Sequence, residues 1–385
     1  MRSGGILDRR VLAAFDFPLL LVLVSLLGLG LMVLYSAGFD PARPTLLVSF
    51  LSYQVENPVF VRQLYYFGLG FVLILVAVAL NPQIYMRWSY WVYALCLLLL
   101  SAVLLIGSSS HGAQRWLEIA GFRFQPSEPA KLAFVFALAR YMSKHIPSNE
   151  RYRLMSLLVP GVIVLLPVVL ILKQPDLGTA LSFLAIGLAM ILFIGVERRL
   201  LLSSGIVGLV SIIPVWSLLR PYQKRRVLAL IDPHADPKGS GYHVIQSQIA
   251  VGSGEVTGKG YMQGTQTQLE FLPENTTDFV YSVLSEEWGF IGSLFVLGIY
   301  FLLIVLVLQV AKRSRDLFAT LVCVGVAAHL FVHTVVNIGM VVGLLPVVGI
   351  TLPFLSYGGS SALTFMFALG VVLGISMRRW TVLQV

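Results

Sequence analysis

Apolar runs about as long as a bilayer is thick recur along this chain, separated by polar or basic breaks. A helix crossing a hydrocarbon core of roughly 30 Å needs about 20 mainly apolar residues. The pattern predicts ten spans, at 17–37, 60–80, 89–106, 128–142, 155–172, 177–195, 200–218, 278–311, 317–340 and 359–377. The fourth is short, so it should tilt, draw on its flanks, or span only in part. The eighth is long and holds Gly289, Gly292 and Gly298, so a kink or a protruding end is expected there. The fold class expected is an all-α polytopic membrane protein, one integral-membrane domain over 1–385.

One break is long. Residues 220–276 form a polar, glycine-rich segment that leads into a helix headed by a carboxylate. Loops longer than about 15 residues without structure of their own are usually functional or disordered. Aromatic and branched residues punctuated by glycine argue against disorder. The chemistry is expected at this large loop.

Composition sharpens the class. Of 385 residues, 57% are hydrophobic and only 12% charged, which places the chain among polytopic membrane proteins. Cys96 and Cys323 lie singly in apolar runs and read as core thiols. Arg2, Arg9 and Arg10 precede the first apolar run, which carries no obvious small-residue cleavage site, so the first span is expected to be an uncleaved signal anchor.

Charge sets the orientation. With the N-terminus inside, the short inner loops and tails hold most of the Lys and Arg, as the positive-inside rule asks. Both termini then lie in the cytoplasm and the 220–276 loop is extracytoplasmic. That loop adds Arg220, Lys224, Arg225, Arg226, Lys238 and Lys259 to the outer face, which nearly evens the count. Positive charge kept outside points either to an anionic partner such as a phosphate head group or to plain lipid contact by Arg220–Ile231.

Candidate chemistry gathers on that face. Asp278 opens the eighth span. Its bland reading is a capping carboxylate, common in a first turn; a long polar loop and a defined Pro273–Glu274 entry favour a functional one. A straight helix would hold Asp278 roughly 15 Å above the apolar run from Trp288, at 1.5 Å per residue. Glu286 and Glu287 then read as interfacial or buried-network carboxylates. Glu128 and Lys131 are three apart and share a helix face, either as a weak surface pair or as an ammonium placed to meet a phosphate or bias Asp278. Asp176, in a tight Gln-Pro-Asp-Leu-Gly turn, reads as structural. His329 and His333 read as core histidines, because HxxxH without the glutamate of HExxH is a weak zinc signal. Gly252–Gly260 (GSGEVTGKG) is not a Walker A loop, since Gly260 follows Lys259. Its backbone N–H groups could cradle a phosphate, or its glycines could serve loop closure.

The segments Gln125–Lys131 (QPSEPAK), Gln174–Ala180 (QPDLGTA), Gly241–Ala250 (GYHVIQSQIA), Pro273–Phe279 (PENTTDF), Glu286–Gly289 (EEWG) and Leu344–Ser361 (LLPVVGITLPFLSYGGSS) closely resemble the SEDS family (shape, elongation, division, sporulation). The resemblance runs from the first span to the tenth, and Gly264–Glu274 (GTQTQLEFLPE) is similar to its elongation branch. It implies a ten-helix fold with cytoplasmic termini in the bacterial inner membrane. It also implies a peptidoglycan glycosyltransferase that polymerises lipid II at the outer face. The family's essential acid falls on Asp278, its Glu–Lys pair on Glu128 and Lys131, and its Tyr-Gln-x-x-Arg motif on Tyr222, Gln223 and Arg226. Glu255 departs from the glycine usual in relatives. A class B penicillin-binding protein, a transpeptidase, is the implied partner, and no nucleic acid is.

Joining two lipid-linked disaccharides turns an α linkage into a β one, so one inverting displacement suffices. It needs a general base and a holder for the undecaprenyl diphosphate. Asp278 is expected as the base. Lys131, Arg226, helix N-termini or a divalent cation (Mg or Mn) are expected at the diphosphate, with Glu128 orienting Lys131; Gln223 and Lys259 are expected among the other substrate-binding residues. The alternative reading is a lipid II flippase, which wants ionisable groups near midplane; here the distinctive polar residues map to the outer half.

Overall fold

The computed structural model describes residues 15–39, 57–110, 113–119, 122–145, 154–197, 221–235, 239–269, 271–272 and 274–378, with Ser203, Val210, Pro214, Trp216 and Ser217. The bundle is built from α1 (Phe17–Ala37), α2 (Pro58–Ala79), α3 (Pro82–Ile106), α4 (Ser127–Lys144), α5 (Leu158–Lys173), α6 (Leu177–Ile194), α10 (Val280–Arg313), α11 (Leu317–Val341) and α12 (Gly359–Met377). The seventh expected span, 200–218, lies almost wholly outside the described residues. Local chemistry fixes where several of these helices start. Asp16, Asn57, Asn81, Asp176 and Asp316 each accept a bond from a first-turn N–H, the usual use of a short polar side chain at an N-cap.

Eight described helices are long and apolar enough to cross a membrane, and α4 is not one of them. It is lengthened by its flanks, as its short apolar run required, to 18 residues, about 27 Å at 1.5 Å per residue. Its modest hydropathy has a tertiary reason. It packs against α3, α5, α6, α11 and α12 and is buried nearly throughout, so protein takes the place of lipid around it.

Two connectors hold more structure than the hydrophobic pattern shows. Between α3 and α4 stands a small antiparallel sheet of β1 (Ser108–Ser110), β2 (Ala113–Ile119) and β3 (Phe122–Phe124), ordered β1-β2-β3. In place of one irregular loop, 220–276 holds helices α7 (Pro221–Ile231), α8 (Ser240–Ser253) and α9 (Thr265–Gln268). The buried Ser247 on α8 donates to Val341 O at 2.6 Å and meets Ser282 at 3.1 Å, so the segment is docked onto α10 and α11.

The eighth span is not straight. At Gly289, φ is 66° and ψ −163°, which breaks α10 into two pieces. That region of backbone space is essentially reserved for glycine. The broken turn is filled by the neighbouring loop: Lys259 N–H donates to Glu286 O and Gly260 N–H to Glu287 O, both at 3.0 Å, while Phe290 and Ile291 N–H reach Glu255 O and Val256 O at 2.9 and 3.1 Å. The straight-helix height expected for Asp278 therefore does not hold.

The start of α10, the starts of α4, α6 and α12, the sheet and the ends of α1 and α11 share one end of the bundle. Arg313 near Asp16, Arg140 on the Arg87 carbonyl, and Arg378 on the Val78 and Ala79 carbonyls mark the other.

Candidate active site

Asp278 closes the turn that enters α10. Thr277 and Phe279 N–H both bond to Glu274 O, at 3.1 and 3.2 Å. The N-cap position is Phe279, which makes no side-chain cap, so Asp278 is not the capping group its bland reading called for. Its main-chain oxygen accepts from Asn337 Nδ2 at 2.9 Å; the same amide donates to Ile350 O at 2.7 Å. Its side chain is different: among the described residues no hydrogen-bond donor reaches either carboxylate oxygen. Asp278 is half-buried as a residue. Burial and then Glu274 push its carboxyl up, Arg226 and Arg115 pull it down, Asp176 raises it slightly, and it settles at about 6. A base with a pKa near the working pH combines ionisation with proton affinity.

Arg115 belongs to this site, although nothing in the sequence reading singled it out. It sits on β2, with Nε 3.3 Å from Asp176 Oδ2 and Nη2 donating to Pro175 O at 3.2 Å. Asp176 does two jobs. It caps α6 through Thr179 N at 3.2 Å and Thr179 Oγ1 at 2.9 Å, and it holds the guanidinium. The sequence offered only a basic residue between Gln114 and Trp116 in an outer connector; the strands that lift it toward Asp278 are too short to leave a periodicity.

Glu128 and Lys131 do come together, but deep inside. Lys131 is 1% exposed, and its Nζ lies 2.8 Å from both Glu128 Oε1 and His333 Nε2. His333 Nδ1 faces Thr351 O at 3.1 Å. A carbonyl accepts only, so Nδ1 carries the proton and Nε2 accepts from the ammonium. The expected phosphate-facing ammonium is thus turned inward. It reaches the Asp278 region indirectly, along Gly349–Ile350–Thr351: Gly349 lies beside Asp278, Ile350 is tied to Asn337, and Thr351 to His333.

Lys259 also meets protein. Its Nζ donates to Glu286 Oε1 and Thr265 Oγ1, both at 2.8 Å. Glu286, fully buried, further accepts from Gln266 N–H at 3.0 Å and Thr267 Oγ1 at 3.3 Å. Glu287 accepts from Ser36 Oγ. These glutamates form the buried network expected of them. Because the Lys259 and Gly260 N–H groups serve the break in α10, the phosphate-cradle reading of 252–260 falls. Gln223 is buried on α7, and Arg226, one turn on, is near enough to Asp278 to depress its carboxyl. Among the described residues no three His, Cys, Asp or Glu converge as metal ligands.

The profile of the cell cycle protein family FtsW, RodA and SpoVE matches residues 17–380. The chain is 39% identical over 367 residues to the peptidoglycan glycosyltransferase MrdB of Escherichia coli K12, covering 94% of each. It is similar to a chain solved in work on the structural coordination of polymerization and crosslinking by a peptidoglycan synthase complex, with a TM-score of 0.79 and 33% identity over 95% of this chain and 98% of that one. The rod shape determining protein RodA of Thermus thermophilus gives a TM-score of 0.69 and 29% identity over 95% and 98%.

Proposed function

The chain belongs to the FtsW, RodA and SpoVE family, the SEDS proteins, and is a peptidoglycan glycosyltransferase; we propose that it polymerises lipid II at the outer membrane face with Asp278 as general base. The carrying observation is the carboxylate without a hydrogen-bond donor among the described residues, half-buried and under the influence of Arg115 and Arg226 at the end of the bundle where most of the family motifs meet. A capping or ion-paired aspartate would have its oxygens engaged.

In this reading the 4-hydroxyl of one lipid-linked sugar attacks C1 of another. The new O–C1 bond forms as the bond from C1 to the diphosphate breaks, and the proton passes to Asp278. Undecaprenyl diphosphate leaves with the electron pair, and Arg226 on α7 offsets its charge, with Gln223 helping to seat that helix. Glu128 and Lys131 act as positioning residues, through His333 and the Gly349–Thr351 segment. Lys259 fastens the loop above. The basic residues of the short connections at the opposite end support an outer placement of this end. A class B penicillin-binding protein is the proposed partner for crosslinking; the complex named for the structural neighbour supports this.

The test is lipid II polymerisation by purified full-length protein carrying Asp278→Asn. Removing a positioned base should slow the reaction about 10²–10⁴-fold. A variant polymerising at the wild-type rate would sink the assignment. The shift in Asp278 supplies a control. Its folded pKa is raised, so its contribution to stability is fullest below the ordinary carboxylate pKa and is lost as pH rises through about 6. At neutral pH the Asn variant should therefore melt no lower than wild type.

A further inference from the structure

Asp278 lies outside the helix it leads into. Ser282 N–H bonds to Phe279 O, so the ladder of α10 begins one residue later and leaves the Asp278 carbonyl to another partner. α11 supplies it. Asn337, fully buried one turn before the end of α11, donates through Nδ2 to Asp278 O at 2.9 Å and to Ile350 O at 2.7 Å, across 59 and 13 residues of chain. Both acceptors are carbonyls, which have no hydrogen to give, so the nitrogen of the amide must face them. Asn337 Oδ1 has no hydrogen-bond partner among the described residues, so the side chain is placed for its nitrogen. One turn earlier on the same face of α11, His333 Nδ1 donates to Thr351 O at 3.1 Å. The entry turn is tied a second time, by Tyr357 N–H to Thr276 O at 2.8 Å.

This junction needs one nitrogen with two hydrogens. A hydroxyl offers a single hydrogen, and a carboxylate would set its oxygens against two carbonyl oxygens. We propose that Asn337 is a positioning residue for the reaction: it clamps the Asp278 main chain to the 349–351 segment, so that the carboxylate meets the attacking hydroxyl in one orientation. This rests on the general-base reading of Asp278 and adds the part of the bundle that aims it. α11 packs against α4, α6 and α10 and so gives a rigid reference, which a turn outside a helix does not have by itself. A misplacement of about 1 Å can cost about 10²-fold in rate, so the clamp acts on the chemical step rather than on binding.

Purified full-length Asn337→Leu, close in size but without a donor, should polymerise lipid II with kcat lowered about 10²-fold and KM within about threefold. Asn337→Asp keeps the shape but cannot donate to both carbonyls. It should give the same pattern, which separates the lost clamp from a packing fault peculiar to leucine. Thr334→Val removes a buried hydroxyl of α11 that bonds Leu330 O of its own helix at 2.8 Å, and should leave kcat within about twofold. The deciding readout is a cycle with Asp278→Asn. A positioning residue acts through the carboxylate, so Asn337→Leu should slow the Asp278→Asn protein by less than about threefold more. A residue that only holds the fold would slow both backgrounds by the same factor. Burial is the largest cause of the raised Asp278 carboxyl, so freeing the turn should also move the acid limb of the rate profile to lower pH. Losses that multiply in the double variant, an unmoved acid limb, or an unchanged kcat in Asn337→Leu and Asn337→Asp would overturn the positioning assignment. Asp278→Asn polymerising at the wild-type rate would instead overturn the general-base reading beneath it.

Discussion

Gly289→Ala is the most severe single-methyl change this structure predicts. With φ of 66° and ψ of −163°, residue 289 lies where an alanine costs about 1–3 kcal/mol in backbone strain. The new methyl would also press on Gly258 N and stand 2.7 Å from the carbonyl carbons of Val256 and Thr257. These are backbone atoms, so the loop must move as a unit. Moving it breaks the four bonds between 255–260 and 286–291, each worth about 1 kcal/mol net. The sum is roughly 5 kcal/mol against the docked loop, far above the usual effect of a point change. Tryptic cleavage after Lys259 reads the opening directly, because that peptide bond sits inside the docked segment. In the regime where opening is faster than cleavage, 5 kcal/mol corresponds to a rise in rate of about a thousand-fold or more. Gly298→Ala, on the same helix with nothing within 4 Å of the added methyl, is the control and should leave cleavage unchanged. Equal cleavage rates for wild type and Gly289→Ala would refute the view that the loop is wedged into the broken turn.

Polymerisation should fall about tenfold per pH unit below about 6, as Asp278 takes up its proton, and a rate unchanged down to pH 5 would contradict that. Glu255 sits at φ of 47°, a conformation glycine adopts at no steric cost, so Glu255→Gly should stabilise the protein by about 1 kcal/mol, read as a higher melting temperature in detergent. Lys131→Met strands the buried Glu128 carboxylate and should cost about 3–5 kcal/mol, whereas the Lys131→Met, Glu128→Gln pair should regain much of it. If the double variant melts as low as the single one, the two side chains are not coupled as the geometry requires.

The spans were legible in the sequence because bilayer crossing is a local, one-dimensional property. Run length, with Asp, Asn, Pro and Gly at the ends, gave 17–37 and 359–377 to the residue and 177–195 within one. The motifs placed Asp278, Arg226 and the Glu128–Lys131 pair on the chain for the same reason: residue types at short spacing survive as text. What they touch did not. Lys131 finds its imidazole 202 residues away at His333, and only packing around α4 turns that pair inward. The break at Gly289 reads in sequence as one more helical glycine, until the loop from Glu255 to Gly260 supplies the partners its backbone lacks. Arg115 comes near enough to Asp278 to lower its carboxyl because three strands too short to show a period lift it there and Asp176 holds its guanidinium. These are contacts between segments far apart in the chain, each small and directional, and their geometry exists only after the apolar helices have packed.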